Sequence, residues 1–566
     1  MADPGRGDWD FHLRTLSISA RDSNLAGDPA SDPSLFQSVK ILHELCKKEN
    51  SEDLVARVYP QFNRLFQRSV TSLSQTRSSY GLLLLAMLQF FLDFGEMVLH
   101  DADPSLRTFF RSCLSREFAD PVVAEATLDF LNTNKKKILA SFPSLLPQFF
   151  PLLLKLIAWN GERLEKSFLK IFPGMISPGS FLPLFPSLLD MPILVTALEK
   201  VERSSGSLIG NSIASIQKST APEMLLALMD EAYTGSTIGD GGADSESEDS
   251  STIDAADPVF LELLKDENDG LVERHWTSPG MVATIQAAIN SSPSDRLKQI
   301  LKIAPRLLDV YFAIASRDVN DSLICALIAN IMSRNDTIFP DKSFAYEVRK
   351  RLLEFMLAAF QRSPDFIALL KKPIMDRLGE AYGSPAKTEL ALQLCWAIGE
   401  HGGGGESHKE AARELFENLE LLLYENLASS RLGLRETTMN PDGSNSGKSS
   451  QPRLLCFVVT AITKLATYHR ELLPRARVSL GKVARSRISD ARVWRRARDY
   501  LGLLSEPAIC LSIFGPSKPG VSQHPGTVNW KEGGSKMIAH IPFYILGGQE
   551  GPPFHDFSFS DVLPRR

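Results

Sequence analysis

Among the six cysteines of this 566-residue chain there is no Cys-x-x-Cys pair. Cys46, Cys113, Cys325, Cys395, Cys456 and Cys510 lie far apart, which argues against a zinc ribbon or a disulfide framework and fits buried thiols in a reducing compartment, the cytosol. Long apolar runs are also missing. The strongest two, Tyr80 to Leu92 and Ile138 to Leu154, fall short of the roughly 20 residues that span a bilayer, and prolines 143, 147 and 151 break the second. The opening Met1-Ala-Asp-Pro-Gly-Arg-Gly-Asp-Trp-Asp-Phe11 has no apolar core of a secretory signal, so the Asn-x-Ser/Thr triplets at Asn290, Asn320 and Asn335 read as incidental. Charge of one sign is nearly absent too: a net −5 sets up no global field toward nucleic acid or membrane, and an electrostatic partner must meet a local patch.

Catalytic signatures are equally scarce. There is no Gly-x-Ser-x-Gly elbow, no His-Glu-x-x-His helix and no cysteine in a nucleophile context. Asp442-Gly-Ser-Asn-Ser-Gly-Lys-Ser449 superficially resembles a phosphate-binding loop, but the glycine spacing is one residue short and no apolar strand precedes it. His401 and His408 flank the glycine run 402–405 with no further ligand nearby, so they read as exposed loop histidines beside a helix ended by a left-handed glycine. The expectation is a protein that is not an enzyme, with no catalytic, cofactor-binding or metal-binding residues and no cofactor.

What the chain does have is helical periodicity. Leu454, Leu455, Val458, Val459, Ile462, Leu465 and Ala466 form one apolar stripe, Phe344, Val348, Leu352, Phe355, Met356 and Ala359 a second, and Leu415, Leu419, Leu422, Leu423 and Leu427 a third, while sustained period-two alternation is missing from the first 510 residues. A recurrent device, an acidic or hydroxyl cap before a first-turn proline, predicts helix starts at Asp32-Pro33, Asp103-Pro104, Asp120-Pro121, Asp257-Pro258 and Ser363-Pro364. The fold class is all-α, a degenerate HEAT/armadillo-like helical solenoid with a Gly/Pro-rich irregular C-terminal tail; a compact helical bundle is the alternative. The expected divisions are a flexible N-terminus 1–33, a first solenoid part 34–232, an acidic Ser/Gly linker 233–256, a second part 257–513 with a mobile loop 430–452, and an extended tail 514–566. In the tail only Ile541-Pro-Phe-Tyr-Ile-Leu546 is apolar enough to dock.

Two charge features are candidate sites. Segment 470–498 concentrates arginine, and Arg475, Arg477, Lys482, Arg485, Arg487, Arg492, Arg495 and Arg496 are candidates for binding an anionic surface or a partner; the plain alternative is a solvated outer face whose arginine stems pack on neighbouring helices. Asp244-Ser-Glu-Ser-Glu-Asp-Ser-Ser251 has the opposite sign, and Ser245 and Ser247 suit an acid-directed kinase.

Several strings carry a resemblance. They are Phe149-Phe-Pro-Leu-Leu-Leu-Lys-Leu-Ile-Ala-Trp-Asn160, Leu188-Leu-Asp-Met-Pro192 with Thr196-Ala-Leu198, Asn335-Asp-Thr-Ile-Phe-Pro340, Trp396-Ala-Ile-Gly-Glu400, and Thr463-Lys-Leu-Ala466 with Glu471-Leu-Leu-Pro-Arg-Ala476. In kind and order the chain resembles the zeta large-subunit family of adaptor protein complex 5 over about 140–200 and 320–505. The resemblance implies an α-solenoid trunk paired with beta, mu and sigma subunits, association with spatacsin- and spastizin-like proteins, and a cytoplasmic protein held peripherally at late endosomes and lysosomes. Its implied role is membrane-protein sorting and vesicle-mediated transport. The alternatives from other classes are a nucleic-acid-binding repair factor and a helical-repeat transport receptor, each using the basic helices 470–498; nucleic acid is disfavoured because a helicase's phosphate loop and metal-holding acidic strand are missing.

Overall fold

The computed structural model describes residues 6–21, 33–73, 79–205, 210, 213, 263–268, 286, 293–363, 365–381, 387–403, 408–436, 450–486, 491–506 and 510. Among these residues every regular element is helical. The chain divides into two units, Met1–Leu307 and Leu308–Arg566, the boundary falling within helix α11 (Asp295–Asp318).

In the first unit, helices α1 (Arg6–Arg21), α2 (Pro33–Glu49), α3 (Glu52–Ser72), α4 (Gly81–Phe94), α5 (Ala102–Thr108), α6 (Pro121–Thr133), α7 (Phe150–Asn160), α8 (Glu162–Ile171), α9 (Phe181–Leu189) and α10 (Met191–Ser205) rest on one another in succession. α1 lies on α2 and α3, α2 on α4, α4 on α6, α6 on α8, and α7 on α8 and α10. Each helix therefore buries its apolar stripe against near neighbours in sequence, as stacked helix-pair folds do. Aromatic pairs fill the seams: Phe62 stacks on Phe90 with centroids 4.4 Å apart, and Phe110 on Phe149 at 4.8 Å.

Length and composition alone would let the 18 residues Gly81–Val98 cross a membrane. In the fold they supply core instead, with Leu84, Met87, Leu88 and Phe90 fully buried. A helix that is apolar all round is one enclosed by its neighbours.

The N-terminus departs from expectation. Arg6–Arg21 is a helix with Trp9 and Leu16 buried and His12 bonded to Ser38 at 2.9 Å. Trp9 and Leu16, seven residues apart, share a face of the helix, and the acidic, glycine-bearing start of the chain masks that signal.

The second unit contains α12 (Asp321–Arg334), α13 (Lys342–Arg362), α14 (Lys371–Glu380), α15 (Thr388–His401), α16 (Lys409–Glu436), α17 (Ser450–Tyr468), α18 (Leu473–Arg485) and α19 (Ala491–Ser505). α17 is its hub, packed against α15, α16, α18 and α19, and all seven residues of its predicted stripe are buried. Each large side chain among them contributes about 1.5–3 kcal/mol. Across the α15–α17 seam the Lys464 ammonium bonds Glu400, with the two side chains 2% and 13% exposed; a pair so enclosed fixes the register of the two helices, since removing either partner strands a buried charge.

The start signals fare unevenly. Asp120 caps α6 as predicted, accepting from the N–H groups of Val122 at 2.8 Å and Val123 at 3.4 Å with Pro121 in the first turn. α2 begins at Pro33. At Asp103-Pro104 the cap is instead Asp101, whose carboxylate accepts from Asp103 N–H at 3.0 Å. Ser363 both ends α13, its N–H bonding Ala359 O at 2.9 Å, and leads into the short helix Asp365–Leu369 as predicted, its carbonyl accepting from Phe366 N–H at 3.1 Å. Asp257-Pro258 lies outside the described residues.

Asn320, one of the incidental triplets, is used structurally as the cap of α12, accepting from Leu323 N–H at 2.9 Å. Gly402 ends α15 in a right-handed conformation, φ −73°. His401 is half-buried, its ring 6.1 Å from that of Trp396, and His408 pairs with Asp365 at 3.1 Å, so neither is a free loop histidine.

α16 continues to Glu436 and α17 starts at Ser450, because the Arg431–Glu436 stretch is made largely of good helix formers. The linker 233–256, the tail 514–566, residues 437–449 and both candidate phosphorylation serines, Ser245 and Ser247, lie outside the described residues.

Candidate functional site

The basic segment folds as a short 3₁₀ turn, Arg470–Leu472, then α18, then α19. Pro474 sits in the first turn of α18, where its missing N–H costs nothing. α18 and α19 pack on each other, and both touch α17. This brings Arg475, Arg477, Lys482 and Arg485 of one helix beside Arg492, Arg495 and Arg496 of the other; Arg487 lies outside the described residues.

The charges are not equivalent. Arg475 faces α16, its guanidinium 2.7 Å from Glu417 Oε1 and 2.5 Å from Glu420 Oε2, and over the Phe416 ring. Glu420 is the centre of this network, because it also accepts from the Ser479 hydroxyl and, at 3.0 Å, from Tyr424 Oη. Burial pushes the Glu420 carboxyl up, but the bonds from Ser479, Arg475 and Tyr424 outweigh it and hold the group below its ordinary value. Lys482 donates to Tyr424 Oη at 3.1 Å and lies 4.2 Å from the centre of that ring. Arg477 donates to Leu504 O at 2.9 Å, satisfying a carbonyl in the last turn of α19.

Arg496 is buried. Arg492 and Arg495 are half-buried. Arg485 is exposed at the end of α18, and Arg498 lies over Trp494 at 5.4 Å. The structure therefore gathers seven of the eight predicted residues but ties Arg475, Arg477 and Lys482 to acceptors within the protein. What faces outward is a mixed surface. Leu421 and Val478 are more than half exposed on the same two helices that carry the Glu417, Glu420, Arg475 and Lys482 network. Sequence reasoning missed the α16 side of it; Glu417, Glu420 and Tyr424 lie 55 to 59 residues from their α18 partners, and their own signal was only the three- and four-residue spacing that places them on one helical face.

Five of the six cysteines are buried, and burial pushes the Cys46 thiol up to about 12. Among the described residues no cluster of three His, Cys, Asp or Glu side chains is arranged to hold a metal. Stacked helices with mixed-charge outer faces define a helical-repeat protein.

Comparison with known proteins gives that class a family. A family model described as "AP-5 complex subunit, vesicle trafficking" matches residues 30–155, and one described as "AP-5 complex subunit zeta-1, C-terminal TPR repeats" matches residues 249–527. Curated relatives called "AP-5 complex subunit zeta-1" from mouse and human are each 24% identical over 90% of this chain. The chain belongs to the AP-5 zeta subunit family. It spans 59% of the length of those relatives. No solved structure matches it. The repeat named for the C-terminal part is TPR, another stacked helix-pair repeat.

Proposed function

We propose that this chain acts as a non-enzymatic scaffold subunit of a heterotetrameric adaptor complex in vesicle trafficking, serving endosomal and lysosomal membrane-protein sorting. The observation that carries this reading is the family match in both units, at 30–155 and 249–527. A stacked-helix chain suits the role, because successive helix pairs offer a long run of outer faces on which several partners seat side by side. The partners are beta, mu and sigma subunits and spatacsin- and spastizin-like proteins, and the chain reaches late endosomal and lysosomal membranes as a cytoplasmic, peripherally bound component of the assembly. The outer face of α16, α18 and α19 is the proposed partner or anionic contact, with Arg485 an exposed cation at the end of α18.

A nucleic-acid role is the weaker reading. Phosphate tracking needs unengaged cations in a row, whereas Arg475, Arg477 and Lys482 hold partners inside the protein. Affinity purification of the tagged chain from its own cells at physiological salt, followed by mass spectrometry, tests the proposal. Near-equal recovery of beta, mu and sigma adaptor subunits is the expected result. Reproducible recovery of nucleic-acid proteins or transport cargo without them would overturn it.

A further inference from the structure

A cleft in the first unit is lined by hydrogen-bond donors and filled by a peptide remote in sequence. The donors come from three places. Residues Phe109–Leu114 form a π-helical turn after α5, a feature that often marks a functional position; it buries Phe109, Phe110, Cys113 and Leu114 and leaves Arg111 half exposed. Gln148 ends the short helix Leu145–Gln148, where Arg107, itself bonded to Asp103 and Ser144, fixes its amide oxygen. α7 supplies the rest: its first-turn N–H at Leu152, unsatisfied within the helix, and Lys155, whose side chain is 1% exposed.

Residues 263–268, Leu-Leu-Lys-Asp-Glu-Asn, answer each of these donors. Lys155 Nζ bonds Asp266 Oδ1 at 2.7 Å and the Leu264 carbonyl. Arg111 grips Glu267 through two bonds of 2.6 and 2.9 Å, and the Gln148 amide donates to the same carboxylate at 2.6 Å. The main chain is read as well: Leu152 N–H donates to Asp266 O at 3.2 Å, and Asn268 N–H to Gln148 O at 2.7 Å. Leu263 and Leu264 are buried beside it.

We propose that this cleft is a recognition site for a short acidic peptide carrying an adjacent Asp-Glu pair, which Leu263–Asn268 fills in cis and which a partner's acidic segment takes in exchange. Three observations favour a receptor with a ligand over ordinary core. The two cleft cations that grip the peptide, Arg111 and Lys155, each meet a carboxylate of it, Glu267 and Asp266. The first turn of α7 adds a main-chain donor, Leu152 N–H to the Asp266 carbonyl, beside these ion pairs. The grip on Glu267 is at the surface, Arg111 being 51% exposed, so an incoming carboxylate reaches it before Lys155 is uncovered. Because an unpaired Lys155 is strongly disfavoured in so dry a place, one acidic peptide replaces another rather than leaving the cleft empty. The inference stands independently of which complex the chain enters.

The test uses the full chain. In an Asp266→Asn, Glu267→Gln variant the cis ligand is weakened without change of shape, and a fluorescent peptide Leu-Leu-Lys-Asp-Glu-Asn is titrated by anisotropy. The variant should bind the peptide at least about tenfold tighter than the wild type, where the cis copy competes, and adding Arg111→Ala should weaken binding about tenfold, as expected for a lost bidentate pair. The Asn-Gln version of the peptide should not bind. Absence of saturable binding while α7 stays protected from hydrogen exchange would overturn the proposal, as would equal binding of the neutral peptide. Should the variant fail to fold, exchange in the wild type decides: the Asn268 amide should exchange at least about a hundredfold faster than the core amides of α7, as an exchangeable ligand opens below the global unfolding limit. Equal rates would make the segment permanent core.

Discussion

Glu420, not any of the arginines, should be the most sensitive position of the α16–α18 seam. Glu420→Ala removes the acceptor for Arg475, Tyr424 and Ser479 together, in a site where the glutamate side chain is only 14% exposed. The arginine is 46% exposed, so its share is discounted to about 0.5–1 kcal/mol, while each of the two hydroxyl bonds contributes about 1 kcal/mol. The loss is therefore about 2–3 kcal/mol, against about 1 kcal/mol or less for Arg475→Ala.

A chain of two units does not unfold as one step, so the readout is hydrogen exchange in the peptides of α16 and α18 rather than a melting midpoint. pH supplies the second arm. The folded-state value of Glu420 lies below its ordinary 4.5, so below 4.5 the unfolded chain binds more protons, and the stabilisation, complete above 4.5, is lost as pH falls through the folded value. The stability gap between wild type and Glu420→Gln should shrink on acidification in that window. An Arg475→Ala effect equal to that of Glu420→Ala, or a gap that widens toward acid, would refute this account.

Gly161 joins α7 to α8 at φ +64° and ψ −142°, and an added Cβ would strike Gln299; Gly161→Ala should lower stability by about 1–3 kcal/mol, and an unchanged thermal profile would contradict it. Glu117 accepts from Tyr80 N–H and Gly81 N–H at 3.0 Å each and from the Ser79 hydroxyl at 2.8 Å, so Glu117→Ala should fray the first turn of α4 at a cost of about 2 kcal/mol, seen as faster exchange there and not in α10. Native-state maleimide labelling should reach Cys325, the half-buried cysteine, well before the other five, since a buried thiol is shielded from the reagent; early loss of Cys46 or Cys395 would count against the packing described.

The helical class was legible because it rests on a repeated local signal: the stripes of α13, α16 and α17 are buried as their spacing predicts. The family strings added what periodicity cannot, an identity spread over many short matches. Caps were legible only where one residue decides, as at Asp120; at Asp101 two acidic residues compete, and spacing does not choose. Asn160-Gly161, which between strands would suggest a hairpin, joins two helices, because the strand pattern that gives the pair its usual meaning is missing. The basic segment was visible as composition, yet its chemistry depends on Glu417, Glu420 and Tyr424, whose proximity is a product of tertiary packing. The acidic peptide in the cleft was invisible for the same reason, with 109 to 111 residues separating Lys155 from its partners.

That separation sets a clock on biosynthesis. Lys155 leaves the ribosome 111 residues ahead of Asp266, which at ordinary elongation rates is an interval of about 6–20 seconds. Throughout it, the nascent first unit carries a lysine whose final place is dry and whose carboxylate has not been made. Helices α4 to α8 can pair within that interval, but the N-terminal turn of α7 closes only when residues 264–268 arrive. The first unit is thus completed late, by a segment translated after α10.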